Sequence, residues 1–280
     1  MALKDIYTYG GFPAKRNLTV ADIIACKGKR TLTQVSAVDR EEAAACEALG
    51  IDLITIWDRD IHEVRAGAPD TFVTGALAMT AYHSNDEILR AGIKVAEAGA
   101  DAVYTPRGLG VVEMLAKEGL SVQGHLGLVP RRSTQVGGLR AIGKTAEEAM
   151  RLLEDFRRLE EAGAYAVEVE CVPTETLIEI NKRTGLVTHS IGSGSGGDIV
   201  FSFMEDICGD VENPPRHAKA FGDLLSIRRQ LAEERLKALA AFRDAVKDGS
   251  FPDAAHSIRM PPEELEKFQD ALAGWQPLHQ

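Results

Sequence analysis

An α/β chain closing into a (β/α)8 TIM barrel, with an N-terminal helix and extra C-terminal helices, is the fold the sequence predicts. Three observations lead there. Eight strand-like runs alternate with helix-patterned segments between residues 31 and 204; such alternation builds a parallel sheet, and eight units close most simply into a barrel. The helical runs end at glycines suited to cap them, at Gly28, Gly50 and Gly163. The third is the stretch Gly163-Ala-Tyr-Ala-Val-Glu-Val-Glu-Cys-Val-Pro173, where a β-rich run leads into two carboxylates, a thiol and a proline able to open the next helix. Barrels keep catalytic groups at the C-terminal ends of their strands, so Glu170 is the first candidate for an acid or base.

Taken in order, residues 1–18 show no period and read as an irregular arm. Residues 19–28 read as a short helix, N-capped by Thr19 or Asn17 and suited to closing one end of a barrel. Strands are expected over 32–38, 52–57, 71–77, 101–105, 121–126, 165–170, 186–190 and 199–204. Helices are expected over 40–49, 85–98, 111–118, 145–162 and 174–183. Beyond Asp210 the pattern is helical, with Leu224, Leu231, Leu236, Leu239 and Phe242 at helical spacing over 217–248, enough for two helices or one bent helix. A surplus helix of this kind packs on the barrel or on a neighbouring subunit. A last short helix opens near Pro261. We expect one domain over 1–280: an arm and helix to residue 30, a barrel core over 31–210, and C-terminal helices over 211–280.

Composition narrows the function. With 280 residues, 45% hydrophobic and 26% charged, the chain has ample material for a large core. A net charge of -10 without a basic stripe makes nucleic acid and anionic membrane poor partners and points to a small molecule. Four cysteines without a CxxC spacing argue against a zinc site or a disulfide framework and fit a reducing compartment. The N-terminus lacks the apolar core of a signal peptide, and no stretch reaches membrane-span length, so a cytoplasmic protein is expected.

Several motifs carry candidate chemistry. Gly138-Leu-Arg-Ala-Ile-Gly-Lys-Thr145 matches the phosphate-loop pattern by letter, but no buried strand precedes its first glycine; Thr145 and Glu148 read instead as a capping box for the next helix. Ile191-Gly-Ser-Gly-Ser-Gly-Gly197 follows the seventh strand and is equally a backbone cradle for a phosphate or carboxylate, or a turn over the barrel mouth. His125 sits in a strand among small residues, where an orienting role for substrate competes with that of a satisfied core histidine. Asp58, Asp60, His62 and Glu63 follow the second strand, as a hard-cation site or as a solvated charged loop.

Linked motifs then add a family resemblance. The segments Thr19-Val-Ala-Asp, Gly124-His-Leu-Gly-Leu-Val-Pro, Gly137-Gly…Gly143-Lys-Thr, Leu152-Leu-Glu-Asp, Leu159-Glu-Glu-Ala-Gly-Ala and Val169-Glu-Cys-Val-Pro resemble ketopantoate hydroxymethyltransferase in register over roughly 19–252. That family belongs to the phosphoenolpyruvate mutase and isocitrate lyase superfamily of barrels. The resemblance implies transfer of a one-carbon unit from 5,10-methylenetetrahydrofolate to 3-methyl-2-oxobutanoate in pantothenate biosynthesis, a magnesium ion (Mg2+) on the 2-oxo acid, and a homo-oligomer, a decamer in the family. Residue by residue it implies that Glu170 is the base, that His125 is at the substrate and that Asp58 is a magnesium ligand. Ser36, Arg59, Tyr104 and Arg107 are the expected substrate-binding side chains.

The same comparison marks departures. Ala76 stands where the family has its second ligand aspartate, Tyr104 where it has a lysine, Pro106 where it has a glutamate, and Arg59 where it has a serine. Two alternatives follow. A guanidinium takes the place of the ion beside the substrate acid, or Asp60, His62 and Glu63 rebuild a displaced metal site. A diverged paralogue running another aldol or lyase reaction, or a ligand-binding protein without catalysis, remains the rival to hydroxymethyl transfer. Cys171 reads as packing.

Overall fold

The computed structural model describes residues 3–275, which fall into two compact units divided between Asp223 and Leu224. The first unit opens with a hairpin, β1 (Lys4–Tyr7) antiparallel to β2 (Pro13–Arg16), where the sequence reads as an irregular arm. The turn is closed by Thr8 N–H to the Phe12 carbonyl at 2.8 Å. Most of its side chains are exposed, so no apolar alternation marks the strands. Helix α1 (Val20–Cys26) follows, and its cap is Thr19, which forms a capping box with Asp22. Asn17 has other work: its side chain bonds the Asp52 carbonyl and the Phe72 N–H.

Eight parallel strands then close on themselves: β3 (Leu32–Ser36), β4 (Leu53–Trp57), β5 (Phe72–Ala76), β6 (Ala102–Tyr104), β7 (Val122–Gly127), β8 (Ala166–Glu170), β9 (Val187–Ile191) and β10 (Ile199–Ser202), with β10 returning to pair with β3. Helices α2 (Arg40–Leu49), α3 (Ile61–Gly67), α4 (Asn85–Glu97), α5 (Leu109–Lys117), α6 (Ala146–Glu161), α7 (Thr174–Asn181) and α8 (Met204–Cys208) connect and follow them. Every expected strand is present within a few residues. Two helices are not expected from the sequence: α8, where the expected strand runs on to residue 204, and α3, which buries Ile61 and Val64 and whose charged neighbours Asp58, Arg59, Asp60 and Glu63 give the segment the look of a loop.

The barrel interior is layered. At the N-terminal end Leu32, Leu53, Phe72, Ala102, Ala166, Val187 and Ile199 form one buried apolar cluster, sealed by Leu18 and by Ile23 of α1. One residue pair further along each strand the filling becomes polar. Gln34, Thr74, Gln123 and His189 come from the alternate strands β3, β5, β7 and β9 and are all buried. The His189 ring Nδ1 pairs with Gln34 Oε1 at 2.6 Å. Apolar below and polar above, the layers direct the chemistry to the C-terminal mouth.

The second unit holds α9 (Leu224–Asp248), a single helix of 25 residues, and α10 (Pro262–Leu272). Phe251 packs its ring against Phe242 and His256 there. Among the described residues no helix is long and apolar enough to cross a membrane.

Candidate active site

Successive residues of a strand face opposite ways, so Glu168 and Glu170 of β8 share the inward face while Val167 and Val169 are buried in the core behind them. On the adjoining β7, His125 is paired in register with Glu168, and Tyr104 ends β6 beside it. The four side chains form a chain of contacts. His125 Nε2 lies 3.3 Å from Glu170 Oε2 and 3.0 Å from the Leu128 carbonyl. His125 Nδ1 lies 2.7 Å from the Tyr104 hydroxyl, which lies 3.1 Å from Glu168 Oε1.

The backbone holds these groups still. Gly127 is opposite Glu170 with φ +84°, and a Cβ there would lie 2.3 Å from the Glu170 carbonyl; only glycine fits. Beyond Glu170 the chain turns through Cys171 in the left-handed region, at φ 51°, an uncommon geometry for a non-glycine residue. Ser193 secures the turn from the next loop, its buried hydroxyl accepting from Val172 N–H and donating to the Val169 carbonyl, both at 2.9 Å. Burial, then the Glu170 carboxylate, push the Cys171 thiol pKa up, which keeps it protonated and poorly nucleophilic.

The hydrogen bonds constrain the protons. A carbonyl oxygen only accepts, so the Leu128 contact places a proton on His125 Nε2. Two arrangements then satisfy the rest of the chain. Either a protonated Glu168 donates to Tyr104, which donates to Nδ1, or a doubly protonated His125 donates to Tyr104, which donates to an ionised Glu168. One proton thus has two resting places joined by a hydroxyl. Burial works against a charged His125, but the carboxylates of Glu168 and Glu170 outweigh it and raise the imidazole pKa. Burial above all raises that of Glu168 as well. The two directions agree once the proton is assigned to the pair rather than to either group. Tyr104, buried beside Glu168, is pushed far above the ordinary phenol range and serves as a neutral link.

Tyr104 and Glu168 line a cavity of about 200 Å³ at the barrel mouth, together with Ser36, Trp57, Ala76 and Phe201. Ser36 also accepts the Met204 N–H that starts α8, at 2.9 Å. A second recess of about 430 Å³ is lined by His125, by Arg132, Arg140 and Arg151, and by Glu148 and Asp155. The other expected residues are placed differently. Asp58 Oδ2 accepts from the Tyr82 hydroxyl at 2.7 Å and from Ala78 N–H at 3.3 Å. Arg107 spends its Nη2 on the carbonyls of Ala78, Met79 and Tyr82, at 2.8 to 3.2 Å. Arg59 is 77% exposed and pairs with Asp60.

These placements test the magnesium ion that the sequence implies. A hard cation needs several oxygens, and at Asp58 the single carboxylate is already shared with a tyrosine and a main-chain N–H, while Ala76 opposite brings no donor atom. The residues at Asp58 do not fit the ion. Nor do Asp60, His62 and Glu63 gather around it: among the described residues the one group with ligand atoms close enough to hold a metal is His125, Glu168 and Glu170, within 4.8 Å of one another. In that group both imidazole nitrogens are engaged in hydrogen bonds, with the two carboxylates beside different nitrogens. The arrangement favours protons over a chelated ion.

The other motifs resolve structurally. The glycine-rich loop after β9 packs onto α7: Gly194 has φ +69°, and a Cβ there would meet Thr174 Oγ1 at 2.1 Å. It is a tight turn against a helix rather than an open cradle. Thr145 caps α6 by accepting the Glu148 N–H at 3.1 Å, but Glu148 reaches past it to the N–H groups of Gly143 and Lys144, so the box is displaced by a residue. Glu168 is the site residue that sequence reasoning missed, and its signal was present: two residues before Glu170 on a strand is the same face. Tyr82 lies in an irregular loop and carried no signal.

Comparison with known proteins identifies the family. The family model for ketopantoate hydroxymethyltransferase matches residues 59–254. The 3-methyl-2-oxobutanoate hydroxymethyltransferase of Pyrobaculum calidifontis is 33% identical over 267 residues, covering 86% of this chain and 98% of the relative. The enzyme of that name from Chloroflexus aurantiacus is 34% identical over 276 residues, covering 89% and 95%. Among solved structures, 2,3-dimethylmalate lyase, described as a PEP mutase/isocitrate lyase superfamily member, covers 96% of this chain and 100% of its own at 13% identity, with a TM-score of 0.48. The family match and the extent of these identities establish that this chain belongs to the ketopantoate hydroxymethyltransferase family.

Proposed function

We propose that this enzyme transfers a hydroxymethyl unit from 5,10-methylenetetrahydrofolate to a small 2-oxo acid, with 3-methyl-2-oxobutanoate the first candidate, and that Glu170 is the base. The observation that carries the reading is Glu170 at the C-terminal end of β8, held 3.3 Å from His125. Glu170 removes the proton from the carbon next to the 2-oxo group, and the resulting enolate attacks the one-carbon unit. His125, when it carries the shared proton, supplies positive charge behind the cavity and holds Glu170 in place. Ser36 offers its hydroxyl to the substrate, Tyr104 lines the cavity as the link between Glu168 and His125, and Arg107 serves by holding the 78–82 loop. No step is assigned to a magnesium ion, because the donor set at Asp58 does not fit one.

The test is NMR of 3-methyl-2-oxobutanoate in deuterated buffer, followed by addition of methylenetetrahydrofolate. Exchange at C3 and formation of ketopantoate support the reading, whereas folate-independent cleavage or addition of other oxo acids supports the diverged aldol or lyase reading, which the altered Asp58 side favours. We also propose a cytoplasmic homo-oligomer. Four free cysteines fit a reducing compartment, and sedimentation of the full chain tests the assembly.

A further inference from the structure

We propose that Glu168 is a second catalytic carboxyl, which gives a proton to the substrate's carbonyl oxygen while Glu170 takes one from the adjacent carbon. This rests on the reading of Glu170 as base. Three observations carry it. Glu168 lines the cavity, deeper in the barrel than Glu170 and on the same strand face, and carboxylate oxygens of the two lie within 4.8 Å of each other, close enough for both to reach one carbonyl and its neighbouring carbon. The Tyr104 hydroxyl joins Glu168 to His125, so the one shared proton is delivered to Glu168 from His125 before it is given to the substrate. And His125 touches both carboxylates, at 3.6 Å and 3.3 Å, so loss of a proton at one is felt at the other.

The step balances. The C–H electron pair becomes the C=C bond of an enol as its proton goes to Glu170; the C=O π pair moves to oxygen, which takes the proton of Glu168. One negative charge has crossed from Glu170 to Glu168, and none is created. When the carbonyl re-forms during carbon–carbon bond formation, the enol proton returns to Glu168. The titratable groups around Glu168 are His125 on β7, Tyr104 on β6, Glu170 on its own strand, Glu205 across the cavity, and His189, which is paired with it in register on β9. Burial holds His189 neutral, with its pKa lowered to about 3.

The experiment is the rate of C3 deuterium exchange in 3-methyl-2-oxobutanoate between pH 5 and 9. For the unaltered enzyme we expect a bell, its acid limb set by the base and its alkaline limb by the acid. Glu168→Gln keeps the side chain's size and should lower kcat for exchange about 100-fold, leave KM within a few-fold, and remove the alkaline limb. Tyr104→Phe, which breaks the link without touching either carboxyl, should give a smaller loss and move that limb. A Glu168→Gln enzyme that exchanges at the original rate, or that keeps the alkaline limb, overturns the proposal while leaving Glu170 as base. Absence of exchange in the unaltered enzyme overturns both.

Discussion

On the β6–β8 side of the barrel mouth Tyr104 hydrogen-bonds to both His125 and Glu168, with Glu170 3.3 Å from His125, whereas on the β4–β5 side Asp58 and Arg107 bond Tyr82 and main-chain atoms. The first set consists of groups that exchange protons with their neighbours. The second consists of a carboxylate and a guanidinium tied to a loop: Asp58 Oδ2 is held by Tyr82, and Arg107 holds the loop through Nη2 while its buried Nε has no hydrogen-bond partner. On the proposed reading, one side of the mouth moves protons and the other holds a loop.

The comparison breaks most visibly at Glu170. Glu170→Gln should lower C3 exchange by about 1,000-fold, in the range expected for loss of a general base, and NMR checks it; a loss below 10-fold would move the base elsewhere. His125→Asn comes next, because it leaves two buried carboxylates without their counter-charge. We expect about 3–5 kcal/mol of destabilisation in urea unfolding, together with slower exchange.

The two interior histidines should give opposite pH dependences of stability. The imidazole pKa of His189 is lowered to about 3, so its contribution is complete above the unfolded value near 6.5 and is lost as pH falls from there toward 3. That of His125 is raised, so its contribution is present below about 6.5 and is lost as pH rises through the folded value. Unfolding free energy should therefore decline on both sides. His189→Gln should flatten the acid side, and His125→Asn the alkaline side.

Effects on the loop side should be smaller and confined to stability. Arg107→Met removes the donor to three carbonyls and should cost about 1–3 kcal/mol, with exchange reduced less than tenfold. Tyr82→Phe removes one hydrogen bond and should cost about 1 kcal/mol while exchange is unchanged. A large loss of exchange in Tyr82→Phe would show that Asp58 acts in the chemistry after all.

Much of this was legible in the sequence, for physical reasons. Buried strands must be apolar and β-rich and their helices capped, so all eight strands were visible. Glu170 and His125 were visible as polar groups on such strands. The hairpin β1–β2 was not, because its side chains are exposed and carry no period, and α3 was hidden by its charged flanks. The fate of Asp58 depended on Tyr82, 24 residues away in an irregular loop, and no local pattern reports such a partner. Glu168 shows the opposite fault: its spacing was readable, but position at the strand's C-terminal end singled out Glu170 alone.

The most direct test of a barrel mouth that works through protons is C3 exchange in 3-methyl-2-oxobutanoate measured with a strong chelator and again with added magnesium. The account predicts equal rates in the two, both abolished by Glu170→Gln. Exchange that appears only with magnesium would contradict it and return the ion to the site.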